Sequence, residues 1–317
     1  MASNAPHGEA GEYPPPADIA AAIQAIRDDR EHGASWLARA AARTLQQAGR
    51  PRDDVPPDAW DALMKTVAQR LVAARPSMAA VANAAAVIWN AGQHESSPQA
   101  RQQVILDMAL RRASQDETAR QALLSHAATL VSGNVYTMSR SGTVEDILRE
   151  MGQRHMIETV IVAESRPGGE GVALARALAQ SGLSVTMIAD TACGIFIREA
   201  SCVVLGADSV RADGSLVNKV GSYPLALMAR EAGKPVYVVC ESLKVAAPDF
   251  PLELEEMDPA EVMLDPVAGV TARNPYFDVT PAPLITAYIT ESGVLDLGAI
   301  ARHAQAIGAA LAQLRAG

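Results

Sequence analysis

Thr159-Val160-Ile161-Val162-Ala163 leads into Glu164-Ser165-Arg166-Pro167-Gly168-Gly169-Glu170-Gly171, and an Ala/Leu-rich stretch then runs to Ser181. A short β-branched run, a glycine-rich turn and a longer helical stretch read as strand, loop and helix. The next run, Ser184–Ile188, repeats the strand signal at once. Working outward, further strands are expected at Val135–Met138, Cys202–Leu205 and Pro235–Cys240. Helices are expected at Val144–Gly152, Gly171–Ser181, Thr191–Glu199 and Pro224–Gly233. Strands that are apolar along their whole length belong to a parallel sheet with helices on both faces. Ligands of such sheets bind beyond the carboxyl ends of the strands, so the residues that follow each strand carry the functional question.

The first half of the chain reads differently. Residues 1–16 are rich in Gly, Pro and acids without periodicity, and are expected to be a disordered arm. From Asp18 the apolar residues recur at three-and-four spacing, as in Ile19, Ala22, Ile23 and Ile26, then Trp36, Leu37, Ala40, Ala41 and Leu45. Pro51, Pro56 and Pro57 interrupt the pattern, and further helices are expected over Asp58–Ala74, Met78–Gly92 and Ser97–Val131. The fold class is therefore α/β, with an all-helical domain at 17–131 followed by a parallel-sheet domain at 132–317.

Composition narrows the function. Of 317 residues, 49% are hydrophobic and 20% charged, an ordinary globular balance. A net charge of −9 argues against a nucleic-acid partner, which needs clustered basic residues. Cys193, Cys202 and Cys240 have neither metal-ligand spacing nor an even count, so no metal is expected and a reducing cytoplasm is the simplest location. There is no apolar run of membrane-spanning length and no secretory signal pattern, so no membrane partner is expected.

Three loops hold the candidate chemistry. Ser139-Arg140-Ser141-Gly142-Thr143 ends a strand and opens a helix, offering hydroxyls and free N–H groups to an anion; an ordinary cap by Thr143 with Asp146 explains it equally well. Asp208 closes Val203-Val204-Leu205-Gly206-Ala207-Asp208, which leaves a carboxylate at the mouth of the sheet, either as a general base or as a turn residue. Asn218-Lys219 precedes Val220-Gly221-Ser222 at the expected head of a helix and suits a phosphate or sugar hydroxyl. That Lys is one of only four in the chain. The loop holding Arg166 is neither GxGxxG nor a Walker A sequence, so nucleotide hydrolysis is not supported.

In order along the chain stand His32-Gly33-Ala34, Arg75-Pro76-Ser77, Thr137–Val144, Glu164–Gly171 and Gly206-Ala207-Asp208-Ser209. Asn218–Ser222, Cys240–Lys244, Asn274–Pro281 and Ile289–Gly293 follow. This ordered set resembles the superfamily that joins the regulatory alpha, beta and delta subunits of translation initiation factor 2B with methylthioribose-1-phosphate isomerase and ribose-1,5-bisphosphate isomerase. The resemblance implies a helical domain on a Rossmann-like domain, assembled as a homodimer or higher homo-oligomer. It implies an isomerase that turns an aldose 1-phosphate into the ketose 1-phosphate without a cofactor. Asp208 would be the acid/base, and Ser139 would stand where the family has Cys. His32, Gly33, Ala34, Arg75, Arg140, Ser141, Gly142, Arg166, Asn218 and Lys219 would surround the sugar and its phosphate. His32 stands where the family has Arg. The alternative is a non-catalytic regulatory subunit that binds a sugar phosphate or nucleotide.

Overall fold

The computed structural model describes residues 13–29, 32–76, 78–114, 117–252, 254 and 256–316. The expected arm lies mostly outside the described residues, and 13–16 have no regular structure. The chain forms two compact units, Met1–Asp116 with Gln305–Gly317, and Glu117–Ala304.

The first unit is helical: α1 (Ala17–Asp28), α2 (Ala34–Ala48), α3 (Trp60–Val72), α4 (Ala79–Ala91) and α5 (Pro98–Ala113). On α1 the buried residues are Ile19, Ile23 and Ile26, the stripe that the spacing predicts. Every residue from Ala79 to Ala86 on α4 is buried, and alanines there let neighbouring helices approach closely. Ser97 caps α5 by accepting the Ala100 N–H at 3.0 Å, and Pro98 takes the first helical position. The final segment belongs here: Asn90 Nδ2 donates to the Ala310 carbonyl at 2.8 Å, and Gln69 Nε2 to that of Leu314 at 3.2 Å.

The single helix expected over Ser97–Val131 is broken. Ser114 turns extended, and its hydroxyl donates to the Arg111 carbonyl at 3.0 Å, the local bond by which serine competes with helix. The next helix, α6 (Glu117–Ala127), groups with the sheet unit, because Leu123, Leu124 and Ala127 pack with Val135, Val144 and Ile147. The sequence reading had placed that division after Val131.

The second unit continues as β1 (Gly133–Met138), α7 (Gly142–Gln153), β2 (Ile157–Ala163), α8 (Glu170–Gln180), β3 (Val185–Ile188), α9 (Cys193–Phe196) and β4 (Cys202–Leu205). Then come β5 (Ser209–Val210), β6 (Leu216–Lys219), α10 (Ser222–Glu231), β7 (Val236–Val239), β8 (Phe277–Thr280), β9 (Ala287–Thr290) and β10 (Gly293–Leu295). The last helix, α11 (Leu297–Ala316), starts in this unit and finishes in the helical one. The helix expected over Thr191–Glu199 is only the four-residue α9 between 3₁₀ turns, since Thr191, Gly194, Ile195 and Ile197 are poor helix formers.

Among the described residues the main sheet has seven strands in the order β10-β9-β7-β4-β1-β2-β3, all parallel except β10. Counting only the parallel strands by their place in the chain gives 3-2-1-4-5-6, the doubly wound dinucleotide-fold order. Alternation sorts the core. Tyr136, Ile161, Val203 and Val238 face a layer with Leu225, Ala226, Ala229, Ile300 and Ala304. Val135, Val160, Val204 and Tyr237 face the opposite layer with Leu148, Leu174 and Leu178. Each fully buried aliphatic side chain contributes about 1.5–3 kcal/mol, and the two layers together explain why these strands read as continuous apolar runs. A second sheet, β5-β6-β8, is antiparallel and was not expected.

Candidate functional site

Strand order reverses between β1 and β4, and in doubly wound sheets ligands bind beyond the carboxyl ends of the strands at that point. Ser139 follows β1 with φ 57, a left-handed conformation that costs a non-glycine residue about 1–3 kcal/mol and therefore needs support. Its N–H donates to Ser165 Oγ at 2.6 Å, and that hydroxyl donates to the Ala163 carbonyl at 3.1 Å. Asp190, after β3, accepts the N–H groups of Ser165 and Arg166 at 2.8 and 2.7 Å. Three consecutive strand ends are thus tied into one rim. Ser141, rather than Thr143, caps α7 through the Val144 N–H. A Cβ on Gly206 would lie 2.7 Å from the Ser141 Cβ, so the loop after β1 and the end of β4 touch.

Asp208 follows β4 and is half-buried; its N–H donates to the Val217 carbonyl at 3.0 Å. That bond leads into the small sheet, whose β6 carries Asn218 and Lys219. Both therefore stand on a strand, opposite Asp278 and Phe277 of β8, and Gly221-Ser222 after them opens α10 as the sequence predicts. Lys219 is 4% exposed. Its ammonium donates to Glu170 Oε1 and lies 3.0 Å from the centroid of the Tyr276 ring. The Tyr276 hydroxyl donates to the same Glu170 oxygen at 2.6 Å. Burial lowers the Lys219 pKa; Glu170 first, then Asp208 and Glu261, oppose it. Burial also works against the Glu170 carboxylate, but Lys219 and Tyr276 outweigh it and hold that pKa below its ordinary value.

Asn218 Nδ2 donates to Ser222 Oγ at 2.9 Å, and Ser222 donates in turn to the Lys219 carbonyl at 2.7 Å. Asp278 Oδ2 accepts the Gly221 and Tyr223 N–H groups at 2.7 and 3.1 Å, which fixes the start of α10. Gly221 has φ 105, a conformation open to glycine. Lys244, also buried, donates to the Ala207 carbonyl at 2.6 Å.

Arg140 and Arg166 are exposed and engaged with protein groups: Arg140 Nε with Glu145 at 3.1 Å, and an Arg166 guanidinium nitrogen with the Glu261 carbonyl at 3.4 Å. The remaining expected residues meet in the helical unit. His32 donates its N–H to Asp29 at 2.8 Å, places its ring Nδ1 at 2.8 Å from the same carboxylate, and stacks on Trp36 at 3.8 Å. Gly33 precedes α2, Ala34 opens it, and buried Arg75 donates to the Asp29 carbonyl at 2.5 Å. Ser77 lies outside the described residues. Glu170, Tyr276, Asp278 and Lys244 were not selected from sequence as site residues, although each sits inside a segment that was. Burial pushes the Cys202 thiol up to about 11 and the Cys240 thiol up to about 12, so neither offers a thiolate near neutrality. Among the described residues no group of His, Cys, Asp and Glu could hold a metal ion, and no helix is long and apolar enough to cross a membrane.

Residues 30–297 match the Initiation factor 2 subunit family. The chain belongs to that family. It is 33% identical over 289 residues to a ribose 1,5-bisphosphate isomerase of Archaeoglobus fulgidus, which covers 88% of this chain and 90% of the relative. It is 31% identical over 312 residues to a methylthioribose-1-phosphate isomerase of Syntrophotalea carbinolica, covering 88% of each. The crystal structure of the translation initiation factor eIF-2B of Pyrococcus horikoshii superposes with a TM-score of 0.73 at 31% identity, over 88% of this chain and 97% of the other. Members of the family thus bear both enzyme and translation-factor names, and the helical region followed by a mostly parallel seven-stranded sheet is the fold they share with this chain.

Proposed function

We propose that this family member is a sugar-phosphate isomerase that converts an aldose 1-phosphate to the ketose 1-phosphate, acting as a homodimer or higher homo-oligomer. The observation that carries the reading is the half-buried Asp208 at the switch point, within electrostatic reach of the buried Lys219 cation and next to the rim that holds Ser139. The 33% identity to a ribose 1,5-bisphosphate isomerase supports it.

An aldose 1-phosphate is a closed acetal. Isomerisation opens the ring by protonating its oxygen and then moves hydrogen from C2 to C1. Asp208 handles the C2 side as acid/base. The Ser139 hydroxyl occupies the acid's place, with the amides of Ser141 and Gly142 available to an anion at the start of α7. Asn218 and Lys219 border the sugar, and the ammonium stabilises negative charge as it develops.

The test is ³¹P and ¹H NMR turnover of ribose 1,5-bisphosphate and methylthioribose 1-phosphate by wild type and Asp208→Asn. The variant should lose about 10²–10⁴-fold, the usual share of a general acid–base group. Turnover within about tenfold of wild type removes Asp208 from the mechanism. A second reading, a regulatory subunit that binds a sugar phosphate or nucleotide, is favoured by one observation: a hydroxyl, a far weaker acid than a thiol, stands at Ser139. Calorimetric binding without turnover of any sugar 1-phosphate would establish it.

A further inference from the structure

Three segments far apart in sequence converge on one ammonium. Lys219 comes from β6, Glu170 from the first turn of α8 and Tyr276 from the approach to β8. A buried ammonium without compensation gives up its proton, because desolvation disfavours the charged form. Here the compensation is specific. One carboxylate oxygen of Glu170 receives both the ammonium and the Tyr276 hydroxyl, and the ring face of Tyr276 covers the cation.

Glu170 is itself placed by the main chain. A Cβ on the next residue, Gly171, would lie 1.9 Å from the Ala163 carbonyl oxygen, so the start of α8 is pressed onto the end of β2. A carboxylate in the first turn also gains from the helix dipole. The charged groups around Lys219 are Glu170 from α8, Asp208 after β4 and Glu261 from the segment before β8. Of these, Glu170 makes the ion pair.

We propose that Glu170 and Tyr276 are positioning residues that hold the Lys219 ammonium charged and fixed within electrostatic reach of Asp208. The consequence for turnover rests on the isomerase reading, whereas the placement of the cation does not.

Lysine NMR tests it directly, because the chain has only Lys65, Lys219, Lys234 and Lys244. Full-length protein labelled with ¹³Cε-lysine gives four signals, and Lys219→Arg identifies one of them. In wild type the Lys219 signal should titrate below the ordinary lysine value. Glu170→Gln removes a negative neighbour, so the midpoint should fall further, by about one unit or more, since an opposite charge at ~4–6 Å is worth ~1–3 units. Tyr276→Phe keeps the ring and the Glu170 charge and loses only the hydroxyl, and should move the midpoint less than Glu170→Gln does. The alkaline limb of kcat/KM should move down with the midpoint.

An unmoved Lys219 midpoint in Glu170→Gln, with the other three signals native, overturns the proposal. Should that variant fail to fold, Tyr276→Leu removes ring and hydroxyl together, and an unmoved midpoint there overturns it equally. If the midpoints shift as expected but no protein turns over any sugar phosphate, the positioning role stands and the isomerase reading falls.

Discussion

Replacing Asp278 by asparagine exchanges an ionisable cap for a neutral one of nearly the same shape. Asp278 Oδ2 accepts two N–H groups at the start of α10, while Oδ1 is buried without a hydrogen-bond partner. Burial outweighs those donors and pushes the carboxyl up to about 6 from 3.8. A difference of roughly two units corresponds to about 3 kcal/mol. Because the folded pKa is the higher one, this stability is fully present below the unfolded value, where both states are protonated. It is lost as pH rises through about 6. The carboxamide does not titrate, so subtracting the variant from wild type isolates the group. Between pH 7.5 and pH 4.5 wild type should gain on the order of 2 kcal/mol relative to Asp278→Asn. Urea unfolding of both proteins across that range measures it, and hydrogen exchange at the Gly221 and Tyr223 amides localises it. A difference that stays within about 0.5 kcal/mol across the range would refute the claim that desolvation dominates at this cap.

Ser139→Cys keeps the left-handed residue and replaces a hydroxyl by a thiol with a pKa of about 8.5, so NMR turnover should be maintained or raised. An active wild type silenced by cysteine would instead assign the hydroxyl a contact of its own. Gly171→Ala places a methyl 1.9 Å from the Ala163 carbonyl oxygen and should cost about 1–3 kcal/mol or more. That is a fall of roughly 3–10 °C in Tm by calorimetry, and an unchanged Tm would show that α8 can back away from β2.

Five of the seven strands of the main sheet, β1, β2, β3, β4 and β7, were legible because burial on both faces leaves a continuous apolar run, whereas β9 and β10 were not read as strands. Cys202–Leu205 was read to the residue, and Val135–Met138 and Thr159–Ala163 fall short of β1 and β2 only at their first residues. What the pattern hides is the small sheet: Ser209–Val210 is two residues long and Leu216–Lys219 is half polar, so neither shows an apolar run and Asn218 and Lys219 were read as a loop although they stand on a strand. Asp208 was visible because it ends an apolar strand at the mouth of the sheet, a position that suits a turn residue as well as a general base. Glu170 and Tyr276 were not, since their partnership spans 106 positions of sequence and leaves no local trace. Arg140 was visible as a basic residue beside a helix start, whereas its pairing with Glu145 at 3.1 Å emerges only from the fold.

The last helix divides its length between the two units, and this sets a timetable. A ribosome completes α1–α5 and then spends roughly 10–40 s on Glu117–Ala304, at ~5–20 residues per second, before Leu311 and Leu314 exist to be buried. Throughout that interval the amides of Gln69 and Asn90 lack the Leu314 and Ala310 carbonyls that they bind in the finished protein. The unit encoded first is therefore the one that matures last, and the nascent chain carries an unfinished helical surface while the sheet is being made.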